Sequence, residues 1–161
     1  MSEEVEIKIR AAKSDDAQNV LALLTQLKAE SANFVIADDL EKVTAADERE
    51  EITKINASGT NLILLATAGN KLIAIATVDE IKAATGELGI AVLHDYQGIG
   101  LGTAMIETII DWVKYDSRLD DLSLSVLKSN SKAFSLYQKL GFVVTSQNEK
   151  LIEMKLKKDR Y

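Results

Sequence analysis

A chain of 161 residues, 47% hydrophobic and 27% charged, is long enough for one domain with a full core and has the balance of a soluble globular protein. It contains no cysteine, which excludes disulfides, thiolate metal sites and a cysteine acyl-enzyme. A net charge of -6 and a pI near 4.9 argue against a broad basic face for nucleic acid and are compatible with a cationic partner such as an amine.

The opening MSEEVEIKIR has neither a secretory nor a membrane-spanning run, so one domain over residues 1–161 in the cytosol, away from membranes, is expected. There is no proline, and element boundaries must come from glycine, capping residues and periodicity. Val5, Ile7 and Ile9 alternate with Glu6, Lys8 and Arg10 as a half-buried strand. Ser14, Asp15 and Asp16 supply a cap and acidic first-turn residues for a helix whose apolar face includes Val20, Leu21, Leu24 and Leu27. Periodicity weakens from Glu30 to Ala46, a loop in which Phe34, Val35 and Ile36 either cover a pocket or pin the loop to the core. Thr44 and Asp47 have capping-box spacing before a second helix with Ile52 and Ile55 inside. The runs NLILLATA and KLIAIATVDE, separated by Gly69 and Asn70, predict an antiparallel hairpin, and Ile81 to Gly86 connect it to a strand starting at Glu87.

From Leu88 to Met105 the sequence reads LGIAVLHDYQGIGLGTAM: a short apolar run, a polar corner, glycines at 98, 100 and 102, then helix formers. Alternating glycines leave successive N–H groups uncovered, and the helix adds its own unpaired N–H groups and the positive end of its dipole. Such a corner suits a phosphate. It is not a Walker loop, because no lysine follows, nor a dinucleotide fingerprint, because Thr103 stands where GxGxxG should close. Leu101, Met105, Ile106, Ile109, Ile110 and Val113 give the following helix a wide apolar stripe. Leu122 to Leu127 alternates as a strand, and Ser129 or Asn130 caps a helix with Ala133, Leu136, Tyr137 and Leu140 on one side and Gly141 at its end. Phe142 to Val144 and Leu151 to Leu156 close the chain as strands. The order β α α β β β α β α β β implies a mixed sheet with helices, α/β or α+β.

Gln97, Gly100 and Gly102 fit a [QR]xxGx[GA] loop, and Asn130, Ala133, Leu136, Tyr137, Lys139, Gly141 and Phe142 fit NxxAxxLYxKxGF. Together they make the chain resemble the GCN5-related N-acetyltransferases. The resemblance implies a mostly antiparallel sheet of about seven strands flanked by about four helices, splayed at the strand before the glycine loop. It also implies acetyl transfer from acetyl-CoA to an amine, small or on a protein, without a metal, and homodimers are common among such proteins. The N–H groups around Gln97, Gly98, Ile99, Gly100, Gly102 and Thr103 would hold the CoA pyrophosphate, and Ala91, Val92 and Leu93 would pair with the pantetheine arm as a peptide pairs with a sheet edge. Asn130 reads equally as a helix cap or as a neighbour of the CoA arm.

Acyl transfer needs a neutral amine, a donor to the oxyanion and an acid for the departing thiolate. Tyr137 is the candidate acid by its place in the motif, although periodicity alone reads it as a core tyrosine. Glu87 is the candidate base or water-positioning group, against the plainer reading of a solvated carboxylate. His94, the one histidine, sits at an exposed corner and is read as non-catalytic. Many relatives carry a basic residue where Ile99 stands, so charge at the phosphates is expected from Lys132 or from N–H groups alone. The rival to a direct-transfer enzyme is a module of the same fold that holds CoA without turnover. The acceptor is unread in the segments expected to set it, 30–56 and 81–86, and Asp38, Asp39 and Glu41 either attract a cation or are a solvated run.

Overall fold

In the computed structural model, which describes residues 5–30 and 40–158, each apolar period finds the expected element. The order is β1 (Ile7–Ala11), α1 (Ala17–Glu30), α2 (Ala45–Ser58), β2 (Leu62–Ala68), β3 (Lys71–Lys82), β4 (Thr85–Val92), α3 (Leu101–Tyr115), β5 (Asp121–Leu127), α4 (Ser131–Lys139), β6 (Val143–Gln147) and β7 (Leu151–Lys157). Phe34, Val35, Ile36, Asp38 and Asp39 lie outside the described residues. No helix among those described is long and apolar enough to cross a membrane.

The strands form one sheet in the order β1-β2-β3-β4-β5-β7-β6, antiparallel except where β4 meets β5. This is the mixed, mostly antiparallel seven-strand architecture with four helices that the resemblance implies. β2, a continuous apolar run, is buried along its whole length between β1 and β3. Its hairpin to β3 turns on Gly69, at φ +60°. Met105, Ile106, Ile109 and Val113 of α3 are fully buried and join the sheet's apolar side chains in one core.

Two local expectations need correction. The turn before β4 is shorter than 81–86, because β3 continues to Lys82 and β4 begins at Thr85. Gly86 lies inside the strand: a Cβ there would come within 2.6 Å of Val78 Cγ1 and 2.7 Å of Leu119 Cδ1, so glycine serves close packing. On α1 the deeply buried positions are Val20, Leu23 and Leu27, with Leu21 and Leu24 flanking them. The stripe is rotated toward Leu23, and the helix is entered through a three-ten turn at Ser14–Asp16. The Asp16 carboxylate fixes that turn, accepting the Lys13 N–H at 2.7 Å and the Arg10 guanidinium through Nη1 at 2.7 Å and Nη2 at 2.9 Å.

The capping box of α2 forms in both directions, Thr44 N–H to Asp47 Oδ2 and Asp47 N–H to Thr44 Oγ1, each 3.1 Å. At the end of α4 the Phe142 N–H reaches the Tyr137 carbonyl at 3.0 Å and the Gly141 N–H reaches that of Gln138 at 3.1 Å, with Gly141 at φ +103°. These are the paired bonds of a Schellman end, and its usual apolar contact is the Tyr137–Phe142 ring pair, 5.9 Å between centroids. The helix end thereby locks the Tyr137 ring.

Candidate active site

β4 and β5 pair only from Thr85–Glu87 against Asp121–Ser123. Beyond Leu88 and Leu124 the two strands have no partner in each other, and a cleft of about 680 Å³ fills the opening. Its walls include Ile90, Ala91 and Val92 of β4, Gly102 and Ile106 of α3, Ser125 to Leu127 of β5, Asn130 and Tyr137. Leu27 and Glu30 of α1 close it on another side.

The free backbone along β4 follows from its register. Leu93 N–H bonds the Ile73 carbonyl at 2.9 Å, and backbone groups alternate along a strand, so those of Gly89 and Ala91 also face β3. Those of Ile90 and Val92 face the opening. The Val92 carbonyl accepts the Gln97 side-chain amide at 2.9 Å, which leaves Val92 N–H and both groups of Ile90 for an extended ligand. Leu93 is 1% exposed, both its backbone groups are engaged, with Tyr96 N–H on its carbonyl at 2.9 Å, and it does not line the cleft. Ala91 lines the cleft although its backbone groups belong to the β3 ladder. Edge pairing therefore shifts by one residue from the expected 91–93 to Ile90 and Val92.

After β4 the chain makes a three-ten turn at His94–Tyr96, which takes up the Gln97 N–H on the His94 carbonyl at 3.2 Å. Gln97 thus braces the corner through its side chain and has no free N–H. The first intrahelical bond of α3 is Ala104 N–H to the Gly100 carbonyl at 3.1 Å. Between them the N–H groups of Gly98, Ile99, Gly100, Leu101, Gly102 and Thr103 have no protein acceptor among the described residues. Gly98 at φ +77° and Gly100 at φ +83° bend the chain through the left-handed region, which turns these groups outward. A Cβ on either glycine would meet nothing within 4 Å. Gly102 has no such φ, and a Cβ there would only touch Ile90 Cδ1 at 3.8 Å, so the protein's own packing does not require glycine at this cleft-lining position. Ile99 is 60% exposed. Lys132 is exposed and stands outside the cleft lining, so the corner's positive character comes from N–H groups and the helix dipole.

Tyr137, which lines the same cleft, is 9% exposed and stands edge-on to the Phe142 ring. Its hydroxyl has no partner among the described residues and is not sealed from solvent, so it opens into the cleft. Burial pushes the phenol above the usual tyrosine range. Asn130 caps α4, its Oδ1 accepting the Ala133 N–H at 3.2 Å, and lines the cleft as well, so the two roles coexist in position.

Glu87 does not line this cleft. It lies in a second hollow of about 250 Å³ with Ser123, Ser125 and Glu153, and the two cavities adjoin at Ser125. On the paired strand Asp79 stands directly opposite Glu87. Asp79 is held above the usual carboxylate range by burial and by the charge of Glu51 on α2, and Glu48 by the same two causes. The His94 ring is exposed, 3.6 Å from Asp95, and His94 lines the cleft. Among the described residues no group of three His, Asp or Glu side chains is arranged to hold a metal ion.

Residues 24–142 match the acetyltransferase family described as the Acetyltransferase (GNAT) family. The chain belongs to the GNAT family. A GNAT-family acetyltransferase from Streptococcus pneumoniae is 25% identical, covers 94% of this chain and 99% of its own, and superposes with a TM-score of 0.85. An acetyltransferase from Salmonella typhimurium, solved with acetyl-CoA, shares the fold at 17% identity and a TM-score of 0.77, over 96% of this chain and 95% of its own. Spermidine N-acetyltransferase from Vibrio cholerae, solved with CoA and spermine, does so at 19% identity and a TM-score of 0.73, over 96% of each chain. Among curated proteins an N-acetyltransferase of Bacillus subtilis is 35% identical over 77 residues, 48% of this chain and 31% of that protein. An N-alpha-acetyltransferase of Sulfurisphaera tokodaii is 40% identical over 55 residues, 34% of this chain and 33% of that protein. The matches to these curated relatives thus span about a third of their length.

Two GNAT cleft residues escape sequence reasoning. Ser125 is one of several serines alternating along β5, and nothing local shows that it sits where the two cavities adjoin. Glu30 is the last residue of α1, and its bond to the His94 N–H at 2.9 Å joins positions 64 apart, beyond any local pattern.

Proposed function

We propose that this GNAT protein transfers an acetyl group from acetyl-CoA directly to a primary amine. The observation that carries the proposal is the unpartnered N–H run Gly98–Thr103, whose Gly102 lines the same cleft as Tyr137. The N–H run suits a pyrophosphate, and the free edge of Ile90 and Val92 suits an amide-bearing arm lying antiparallel to a strand. When bound, acetyl-CoA supplies an acyl group activated as a thioester. An N–H on the open edge of β4 holds the carbonyl oxygen as charge develops on it. Tyr137 gives its proton to the departing sulfur as the C–S bond breaks, and the new bond joins the acyl carbon to the amine nitrogen.

The amine approaches from the second hollow, where Glu87 takes its proton directly or through water. Lys82 and Lys155 line that hollow beside Glu87 and Glu153, so the support for a cationic acceptor, small or on a protein, comes from the Asp79–Glu51 pair on the neighbouring β3 and α2. A homodimer is part of the same reading, supported by the outer strand β6 with exposed Val143 and Val144, and light scattering of the purified chain tests it. No observation favours the rival of CoA held without turnover.

The test is thiol release from acetyl-CoA over a panel of amines, with Tyr137→Phe and Glu87→Gln alongside the unaltered protein. Turnover with at least one amine, lowered in both variants while CoA still binds, is expected. Tight CoA binding with no thiol release for any amine would replace the enzyme by the rival.

A further inference from the structure

We propose that Glu30 is a positioning residue for the cofactor corner, coupling α1 to CoA affinity; this rests on the function proposed above. Glu30 Oε1 accepts the His94 N–H at 2.9 Å, and Glu30 and Leu27 are the cleft's contribution from α1. Two electrostatic terms disfavour a carboxylate at this place. It ends a helix, where the dipole is already negative, and it stands beside a corner suited to phosphate. Its other oxygen has only the Gln26 amide at 3.5 Å, and no cation among the described residues pairs with it.

What offsets those terms is a charge-assisted bond to the first residue of the three-ten turn. The other bonds of that turn are internal: Tyr96 N–H to Leu93, Gln97 N–H to His94, and the Gln97 side chain to Val92. Glu30 is therefore the one described hydrogen bond that ties the corner to α1. The N–H run from Gly98 leaves directly from this turn, so fixing His94 fixes the direction in which the run faces. Without that anchor the corner keeps only its own bonds and the Gln97 brace to Val92, the glycines that follow are held less firmly, and binding CoA would have to order them.

The experiment measures CoA binding by calorimetry, kcat and KM for acetyl-CoA, and amide exchange at His94, in the wild-type chain, Glu30→Ala and Glu30→Gln. Expected is CoA binding weakened about 5- to 20-fold in the alanine variant, with faster His94 exchange and kcat within about twofold at saturating acetyl-CoA. Glutamine keeps an accepting oxygen and removes the charge beside the phosphates, so it should bind CoA at least as tightly as wild type. Unchanged CoA affinity in the alanine variant would overturn the proposal. So would a glutamine variant as weak as alanine, or a loss confined to kcat, which would assign Glu30 to the acceptor instead. Should the alanine variant not fold, a glutamine variant with lowered affinity while His94 stays as protected as in wild type still overturns it. A wild-type chain with no CoA affinity would fail the proposed function itself, separately from Glu30.

Discussion

Burial holds the Tyr137 phenol above its ordinary range, and the hydroxyl has no partner among the described residues, so the proton stays on the oxygen at neutral pH, available to a ligand in the cleft. Tyr137→Phe is therefore expected to lower kcat about 100-fold while CoA affinity stays within about twofold. Because the shift is upward, any loss of rate from ionising the phenol should fall at a higher pH than for an ordinary tyrosine in a pH profile of kcat. Melting temperature should be unchanged, since removing this hydroxyl leaves no buried group unpaired. Asp16 shows the opposite sign. The Arg10 hydrogen bonds, followed by the Lys13 N–H, hold its carboxyl below the usual range against the effect of burial. Its stabilisation is present above the ordinary aspartate pKa and is lost as pH falls through the lowered folded value. Asp16→Asn is expected to cost about 1 kcal/mol near pH 7, after screening at the part-exposed Arg10, and thermal melts should show the difference from wild type closing below about pH 4.

The strand–corner–helix unit separates fold from binding within one short run of glycines. Gly100 is needed by the backbone, at φ +83°, so Gly100→Ala should lower stability by about 1 kcal/mol. Gly102 lies in the first turn of α3 with room for a Cβ, so Gly102→Ala should leave the melting temperature equal or higher yet weaken CoA binding. Calorimetry with thermal melts on both variants checks this; a Gly102→Ala chain that loses stability, or binds CoA unchanged, would contradict it. These elements were legible because their signals are local: the Gly69–Asn70 turn, the Thr44–Asp47 box, the stripe of α3 and the Gly141 stop each lie within a few residues. What was not legible was set by pairing between distant segments. The residues of β4 that offer free backbone, Ile90 and Val92, depend on the register with β3, which is one residue from what the end of the apolar run suggests. Gly86 reads as a loop residue until Leu119, brought over by the α3–β5 connection, is seen to occupy its Cβ position. Glu87 faces the second hollow for the same kind of reason, since alternation assigns it the face opposite to Leu88.

At the scale of the molecule, the sheet divides the chemistry. The side of α3 offers unpaired N–H groups, while Glu48 and Glu51 of α2 and Asp79 of β3 gather negative charge with no ion pair to a described cation. Such an arrangement attracts cations at the expense of stability, because the carboxylates repel one another when all are ionised. The sign follows from the raised values. A carboxylate whose folded pKa lies above its unfolded one contributes favourably below the unfolded value and loses that contribution as pH rises through the folded one. At neutral pH the cluster therefore works against the fold, and Glu51, which acts on both Asp79 and Glu48, is the residue to neutralise. Glu51→Gln is expected to stabilise the protein by about 0.3–0.5 kcal/mol near pH 7 after solvent screening, a rise of about 1–2 °C in melting temperature. The gain should shrink toward pH 4, where the unaltered cluster takes up protons, and should also shrink in high salt. A cationic acceptor should show the reverse effect, with a higher KM in the same variant while KM for acetyl-CoA is unchanged. Thermal melts across pH and salt, with both KM values, check the two halves together. A variant less stable at pH 7 would show that Glu51 supports the fold, and an unaltered acceptor KM would remove this cluster from substrate capture.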